Sequence, residues 1–461
     1  MIEIHSIDTP ALGDRSYLAT DGQVALVVDP QRDIDRVLEL AAARGLRITH
    51  VFETHLHNDY VTGGLALAGR TGAAYHVNAA DPVTFDRTPV GDGDVIGVGT
   101  AMRVRVIATP GHTFTHLSYA VEDAGTGRVA AVFTGGSLLY GSTGRPDLLG
   151  PAHKVALATA QHASAHRLAA ELPGDTPVMP THGFGSFCSA TQAEGNASTI
   201  AHERRVNPAL TLSQDDYVAE LLAGLDAYPA YYAHMGPANA AGPGAADLAP
   251  PAPAAAADIA ARIAAGEWVV DLRSRRAFAA GHVSGSLSFE HSDSFTNYLG
   301  WLIPWGTPLT LLGESPGQVA AAQRDLARIG IDRLAGAATG GPHDWAGSQP
   351  LASFPIAAFA ELAAVRHHRP VTVLDVRRAL EWAGGHIRGA IHIPLQDLPG
   401  RLGEVPAGEV WVHCRSGYRA VVAASLLQAA GHPVVAIDDD FSQAGAAGLA
   451  MASDEKTGEA A

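Results

Sequence analysis

THLHNDY (residues 54–60) follows directly on the apolar run ITHVF (48–52). Two histidines at i and i+2 on extended chain, His55 and His57, point to the same side and can grip one metal ion. A third, His112, closes TPGH just after MRVRVIA (102–108), and a fourth, His182, lies in MPTHG (179–183). Neutral imidazoles suit zinc, iron or manganese, and a neighbouring carboxylate such as Asp59 can ligate or orient them. VALVVDP (24–30) and VAAVFTGG (129–136) are further apolar runs that break at Asp, Pro or Gly. The pattern predicts strands whose polar residues gather in loops at one edge. Between them, IDRVLELAAARG (34–45) reads as a helix stopped by Gly45.

Further along, GPANAAGPGAADLAPPAPAAAAD (236–258) is rich in Ala, Pro and Gly and nearly uncharged. It reads as an extended interdomain linker over 236–257. An internal repeat follows. VVDLRSRRAFAAGHVSGS (269–286) matches VLDVRRALEWAGGHIRGA (373–390) at a constant offset, pairing Asp271 with Asp375, Arg273 with Arg377, His282 with His386 and Gly285 with Gly389. Alternating strands and helices imply a small parallel sheet in each copy. The expected division is a first domain over 1–235, the linker, two modules over 258–350 and 354–450, and a disordered tail over 451–461.

EVWVHCRSGYRAVVAASLLQAAG (409–431) carries the second chemistry. An apolar strand runs into Cys414, then a short loop, then an apolar helix. Successive loop amides can form an anion-holding cup, and the helix adds its positive end. Arg415 and Arg419 add charge, so the loop favours thiolate over thiol. Phosphatase loops share this logic with five residues between Cys and Arg. Here four residues separate Cys414 from Arg419, and the smaller loop suits a sulfane sulfur better than a phosphate. In the first copy, aligning Gly330 with Gly431 puts Gly313 opposite Cys414. LTLLGESPGQ (309–318) has no thiol and no basic residue, so a packing or docking role is expected.

The formal charge of −16 and the absence of a basic stripe argue against nucleic acid as a partner. No uncharged apolar run reaches membrane-spanning length, and the N-terminus lacks the charged and apolar regions of a secretory signal. Two distant cysteines, Cys188 and Cys414, exclude a disulfide framework and fit a reducing cytoplasm.

The histidine groups resemble the metallo-β-lactamase superfamily, with its HxHxDH signature and distant PGHT. The Cys414 loop, with LDVR and GGHIRGA upstream, resembles rhodanese sulfurtransferases. The resemblance implies an α/β and α+β multidomain chain: an αββα sandwich followed by two rhodanese-like α/β domains. It also implies one transition-metal ion per chain, Fe(II) first and Zn(II) as the alternative. The ligands would come from His55, His57, His112, Asp59 and His182.

Two positions depart from the superfamily. Tyr60 replaces the last histidine of the signature, which argues for one metal rather than two. Gly136 stands where an aspartate is usual. In persulfide dioxygenases of the superfamily that aspartate completes a two-His-one-carboxylate iron site. Either a three-histidine site at His55, His57 and His112 remains, or the site is weakened. GRPDL (144–148) and a cysteine in THGFGSFCSA (181–190) also resemble the dioxygenase branch. Cys188 reads as a sulfur acceptor or as a buried small residue, and Arg145 as an anion contact or a loop-pinning ion pair.

Three functions follow. The first is persulfide oxidation coupled to a sulfurtransferase that uses Cys414, Arg415 and Arg419. The second is metal-dependent thioester hydrolysis. The third is sulfur transfer on a non-catalytic scaffold. The substrates implied are small persulfides or thiosulfate, without nucleic acid or membrane, and a homo-oligomer is compatible with this.

Overall fold

Alternation along a few strands sets the first unit. In β3 (Val24–Val28), Val24, Leu26 and Val28 turn to one face, and Ala25 and Val27 to the other. In β8 (Met102–Ala108) and β9 (Leu117–Asp123), Met102, Val104, Val106, Leu117, Tyr119 and Val121 meet the first face of β3. Side chains on a strand alternate between faces, so each strand feeds two apolar layers at once. Two six-stranded sheets pack on this shared core. One has the order β1 (Glu3–Thr9), β2 (Asp14–Thr20), β3, β4 (Arg47–Phe52), β5 (Ala74–Asn78), β6 (Thr88–Val90). The other has β12 (Ser198–Thr199), β11 (Pro177–Pro180), β10 (Val129–Gly135), β9, β8, β7 (Val95–Val98).

Helices cover both outer faces. Val37 and Ala41 of helix Asp35–Ala43 and Leu67 and Ala68 of helix Gly64–Thr71 pack on Ala25, Val27 and Val51. Ala158, Ala165 and Leu168 of helix Lys154–Glu171 pack on Ile107, Ala120 and Val132. The result is a helix–sheet–sheet–helix sandwich.

The computed structural model describes residues 2–191 and 195–453. Two compact units divide the chain, Met1–Asp247 with Asp325–Gly330, and Leu248–Arg324 with Ile331–Ala461. The expected linker over 236–257 is corrected at both ends. Helix Tyr232–Ala241 runs into it, and Asn239 is fully buried there. Pro253 bridges to Ala337 and a new helix starts at Ala256. The alanines that read as linker composition are good helix formers, and burial of Asn239 fixes the first stretch. The tail expected over 451–461 lies outside the described residues from 454 on, and Met451–Ala452 is a strand.

The second unit holds two parallel sheets. One has the order β14 (Leu287–Ser288), β13 (Trp268–Asp271), β15 (Leu309–Gly313), β16 (Gly336–Thr339). The other has β17 (Ile356–Ala357), β22 (Val434–Ile437), β21 (Val410–His413), β18 (Thr372–Asp375), β20 (Ile391–His392). β19 (His386–Ile387) and β23 (Met451–Ala452) form a separate ribbon.

The repeat is visible atom by atom. Arg273 grips Asp271 and reaches the Gly281 carbonyl at 2.8 Å, and Arg377 grips Asp375 and reaches that of Gly385 at 2.7 Å. His282 stacks on Phe278 and His386 on Trp382. Both buried Asp–Arg pairs brace a strand end. Asp271 registers with Leu312 and Asp375 with His413, so the next residues, Gly313 and Cys414, hold equivalent places. No helix among the described residues is long and apolar enough to cross a membrane.

Candidate metal centre and sulfur-transfer loop

The loops after β3, β4, β8, β10 and β11 meet at one edge of the sandwich. They bring His55, His57, His112 and His182 around one buried space. Ring centroids lie 4.1 Å apart for His55–His57, 4.8 Å for His55–His112 and 5.4 Å for both His55–His182 and His112–His182.

Hydrogen bonds on the far side of each ring fix which nitrogen faces in. The Thr54 hydroxyl donates to Asp29 at 2.7 Å, so it accepts from His55 Nδ1 at 2.8 Å. His112 Nδ1 donates to the Arg145 carbonyl at 2.9 Å, leaving its Nε2 buried without a partner. His182 Nδ1 donates to Asp14 at 2.9 Å and lies 3.1 Å from Asp59. Outer partners of this kind fix tautomer and orientation in metal sites.

The tightest three-imidazole group is therefore His55, His112 and His182, with one nitrogen from each within 4.8 Å of the others. This group differs from the expected three of His55, His57 and His112 in one member, His182 standing in the place of His57. His57 turns Nε2 toward Asp29 and Glu53, 3.3 Å from each, and toward the Tyr60 hydroxyl at 3.0 Å. Its Nδ1 stays buried and unpartnered, and His57 also groups with Asp59 and His182.

Electrostatics follow burial. Burial and the neighbouring imidazoles hold His55 far below its ordinary value, and burial brings His112 down to about 3, so both stay neutral. Burial works against a charge on His57 too, but Asp29 and Glu53 outweigh it and raise it to about 9. Burial and the charge of Asp59 push Asp14 up to about 7. Asp29 adopts φ of +52°, a strained conformation for a residue with a side chain, held by its bonds to Thr54 and Thr181.

Sequence reasoning missed Asp14, Asp29, Glu53 and Asn239. VALVVDP did show an acidic residue at a strand's polar end, the signal that would have found Asp29. Asn239 donates to the carbonyls of His57 and Tyr60, both at 2.9 Å, and accepts from Thr62 N. A residue 179 positions from Tyr60 thus pins the histidine loop, and nothing local announces it.

At Gly136 the chain leaves no room for a carboxylate. A Cβ there would overlap His112 Cδ2 and lie 2.6 Å from Cγ. The Gly136 amide donates to His116 Nε2 at 3.0 Å, so His116 supports the backbone and has no lone pair for a metal. Gly136→Asp is expected to lower stability by about 1–3 kcal/mol through overpacking. Chemical denaturation of the purified variant reads this directly.

Arg145 is spent on a loop. It grips Asp147 and reaches the Phe187 and Asp226 carbonyls. Cys188 is fully buried, and burial together with the charges of Asp59 and Asp14 pushes its thiol far up, so it keeps its proton.

The Cys414 loop joins β21 to helix Tyr418–Ala429. The Gly417 N–H donates to Cys414 Sγ at 3.2 Å. Arg419 is bound by both oxygens of Glu381, at 2.6 and 2.8 Å. Against its own burial, Glu381 is held down to about 2 by Arg419, so that arginine's charge is largely balanced. Arg415 remains exposed on the rim of a cavity of about 810 Å³ lined also by Arg377, Leu380, Glu381, Asp440 and Phe441. Of the two charges expected at the loop, one is shared with Glu381 and the other, Arg415, stands at the cavity rim beside Asp440.

Family models match metallo-beta-lactamase superfamily over residues 13–182 and Rhodanese-like domain over 359–446. Human mitochondrial persulfide dioxygenase ETHE1 is 31% identical over 217 residues, 46% of this chain and 74% of that protein. The chain belongs to the metallo-beta-lactamase superfamily. Hydroxyacylglutathione hydrolase of Gloeobacter violaceus, 35% identical over 188 residues, spans 40% of the chain and 69% of its own length. A metallo-beta-lactamase structure from Staphylococcus aureus matches with a TM-score of 0.65 and 27% identity, covering 73% of this chain and 98% of that one. The metallo-beta-lactamase domain thus carries the histidine cluster, and the rhodanese-like domain carries Cys414. The family match over 359–446 does not extend to the cysteine-less sheet, whose likeness rests on the shared register and Asp–Arg brace.

Proposed function

We propose that the chain is an enzyme of sulfane-sulfur metabolism, with Cys414 as the sulfur carrier and the metallo-beta-lactamase domain as a persulfide site built on one metal ion. The Gly417 amide on Cys414 Sγ, at the head of an apolar helix, is the observation that carries the reading. A thiolate held there attacks the outer sulfur of thiosulfate. The S–S bond breaks, sulfite leaves with the bonding pair, and Cys414 becomes a persulfide. An acceptor thiolate then takes that sulfur and restores the Cys414 thiolate. Arg415, exposed at the cavity rim, meets the anionic end of the donor.

In the metallo-beta-lactamase domain, the buried unpartnered nitrogens of His112 and His57 and the converging His55 and His182 fit a single borderline metal ion. Such an ion supplies Lewis acidity or, when redox-active, one-electron chemistry. An iron set that draws its carboxylate from position 136 does not fit, since that position has neither a carboxylate nor space for one. Similarity to a persulfide dioxygenase supports a persulfide as the ligand. Thioester hydrolysis, suggested by similarity to hydroxyacylglutathione hydrolases, leans on two bridged metals. Tyr60 packed on His57, together with Gly136, weighs against it.

The test has two parts. Purified protein is expected to carry about one equivalent of transition metal and to transfer sulfur from thiosulfate to a thiol. Failure of transfer by folded, reduced protein rejects the reading. Persulfide-dependent O₂ uptake by the iron-loaded chain separates oxidation at the metal from binding alone.

A further inference from the structure

The geometry points to the cysteine-less module as the positioning half of the sulfur site: its Arg275 holds Asp438, and Asp438 holds the Gly417 amide against Cys414. The inference rests on the sulfurtransferase reading for its biological meaning, although its contacts stand without it. Gly417 adopts φ of +94°, the region that favours glycine. A Cβ on it would overlap Asp438 Oδ1 and lie 3.0 Å from the Asp438 Cα. Asp438 therefore forms the wall behind the residue whose N–H touches Sγ at 3.2 Å.

Asp438 is itself buried, with 2% of its side chain exposed, and both its oxygens are taken from the other module. Arg275 Nε donates to Oδ1 at 2.8 Å and Arg276 Nε to Oδ2 at 2.7 Å. Arg275 is in turn tied to Glu290 at 2.8 Å. Two further contacts tie the module to the helix that starts at the loop. Ser288 N donates to Ser425 Oγ, and His282 Nε2 meets Gln428 Oε1 at 2.8 Å. Removing the arginines leaves a buried carboxylate without its counter-charge. That carboxylate then turns toward water and its wall behind Gly417 goes with it. That N–H orients the sulfur and steadies the charge it carries in attack, so its loss slows the reaction of Cys414. A module without a nucleophile is thus kept for the nucleophile of its neighbour. Arg276 is mostly exposed, which makes Arg275 the principal contact.

The experiment follows alkylation of Cys414 by iodoacetamide in the full chain, read on the Cys414 peptide by mass spectrometry so that Cys188 does not contribute. Arg275→Ala is expected to slow it about tenfold at neutral pH, and Arg275→Lys to restore most of the rate. Asp438→Asn, which keeps the volume and removes the charge, is expected to be slow as well, and it serves if Arg275→Ala does not fold. A folded Arg275→Ala or Asp438→Asn that alkylates at the wild-type rate overturns the proposal. So does a slow Arg275→Ala that lysine does not rescue. Wild-type protein that alkylates normally but moves no sulfur from thiosulfate strikes the sulfurtransferase reading instead, and leaves the positioning role to the rates.

Discussion

Cys414→Ser is expected to reduce thiosulfate-dependent sulfur transfer by about 10³-fold or more, to the level of the uncatalysed exchange. A serine hydroxyl fits the same loop, and Gly417 N–H can donate to it. It forms no persulfide, however, and a hydroxyl is a far weaker nucleophile than a thiol. Cys188 offers no substitute. It is sealed in the other unit and held as a thiol by burial beside Asp59. Fold should be unaffected, because Cys414 contributes a small side chain, 2% exposed, at a strand end. The measurement is the rate of sulfite release from thiosulfate with a thiol acceptor, alongside far-UV circular dichroism. Substantial residual transfer by Cys414→Ser would place the carrier elsewhere in the chain.

The strands and the loops that carry the histidines and Cys414 were legible because each rests on local pattern. VALVV and MRVRVIA announce their two faces by alternation, and HCRSGYR announces a strand–loop–helix turn in seven residues. The equivalence of Gly313 and Cys414 was legible too, from aligning Gly330 with Gly431, and the strand register repeats it. What could not be read depends on distance in the chain. Asp14 starts β2 and yet bonds His182, 168 positions away. Glu381 claims Arg419 from the helix Ala379–Ala383, so a charge that sequence assigns to the sulfur is balanced by a carboxylate. Asn239 lies in a stretch whose composition resembles a linker, and its burial depends on three backbone partners at Thr62, His57 and Tyr60. Composition describes the chain's local preference. A buried amide is placed by whichever backbone groups lack partners.

The histidines should separate sharply when metal is counted. His112→Ala and His182→Ala are each expected to lower metal affinity by more than about 100-fold, so that purified protein holds under about a tenth of an equivalent. Each removes a ring whose outer nitrogen is already engaged, by the Arg145 carbonyl and by Asp14, and whose inner nitrogen faces the shared space. His116→Gln is the contrasting variant. His116 stacks on His55 at 4.9 Å and sits four residues from His112, so proximity alone would make it a ligand. Its Nε2 already accepts from the Gly136 amide, and its Nδ1 bonds Thr109 at 2.9 Å. With both nitrogens committed it has nothing to offer an ion, and glutamine can still accept from the amide. His116→Gln is therefore expected to keep close to the wild-type metal content. Elemental analysis of the three variants after identical reconstitution decides it. Loss of metal in His116→Gln equal to that in His112→Ala would mean that the backbone at Gly136, which His116 supports, is itself part of what shapes the site.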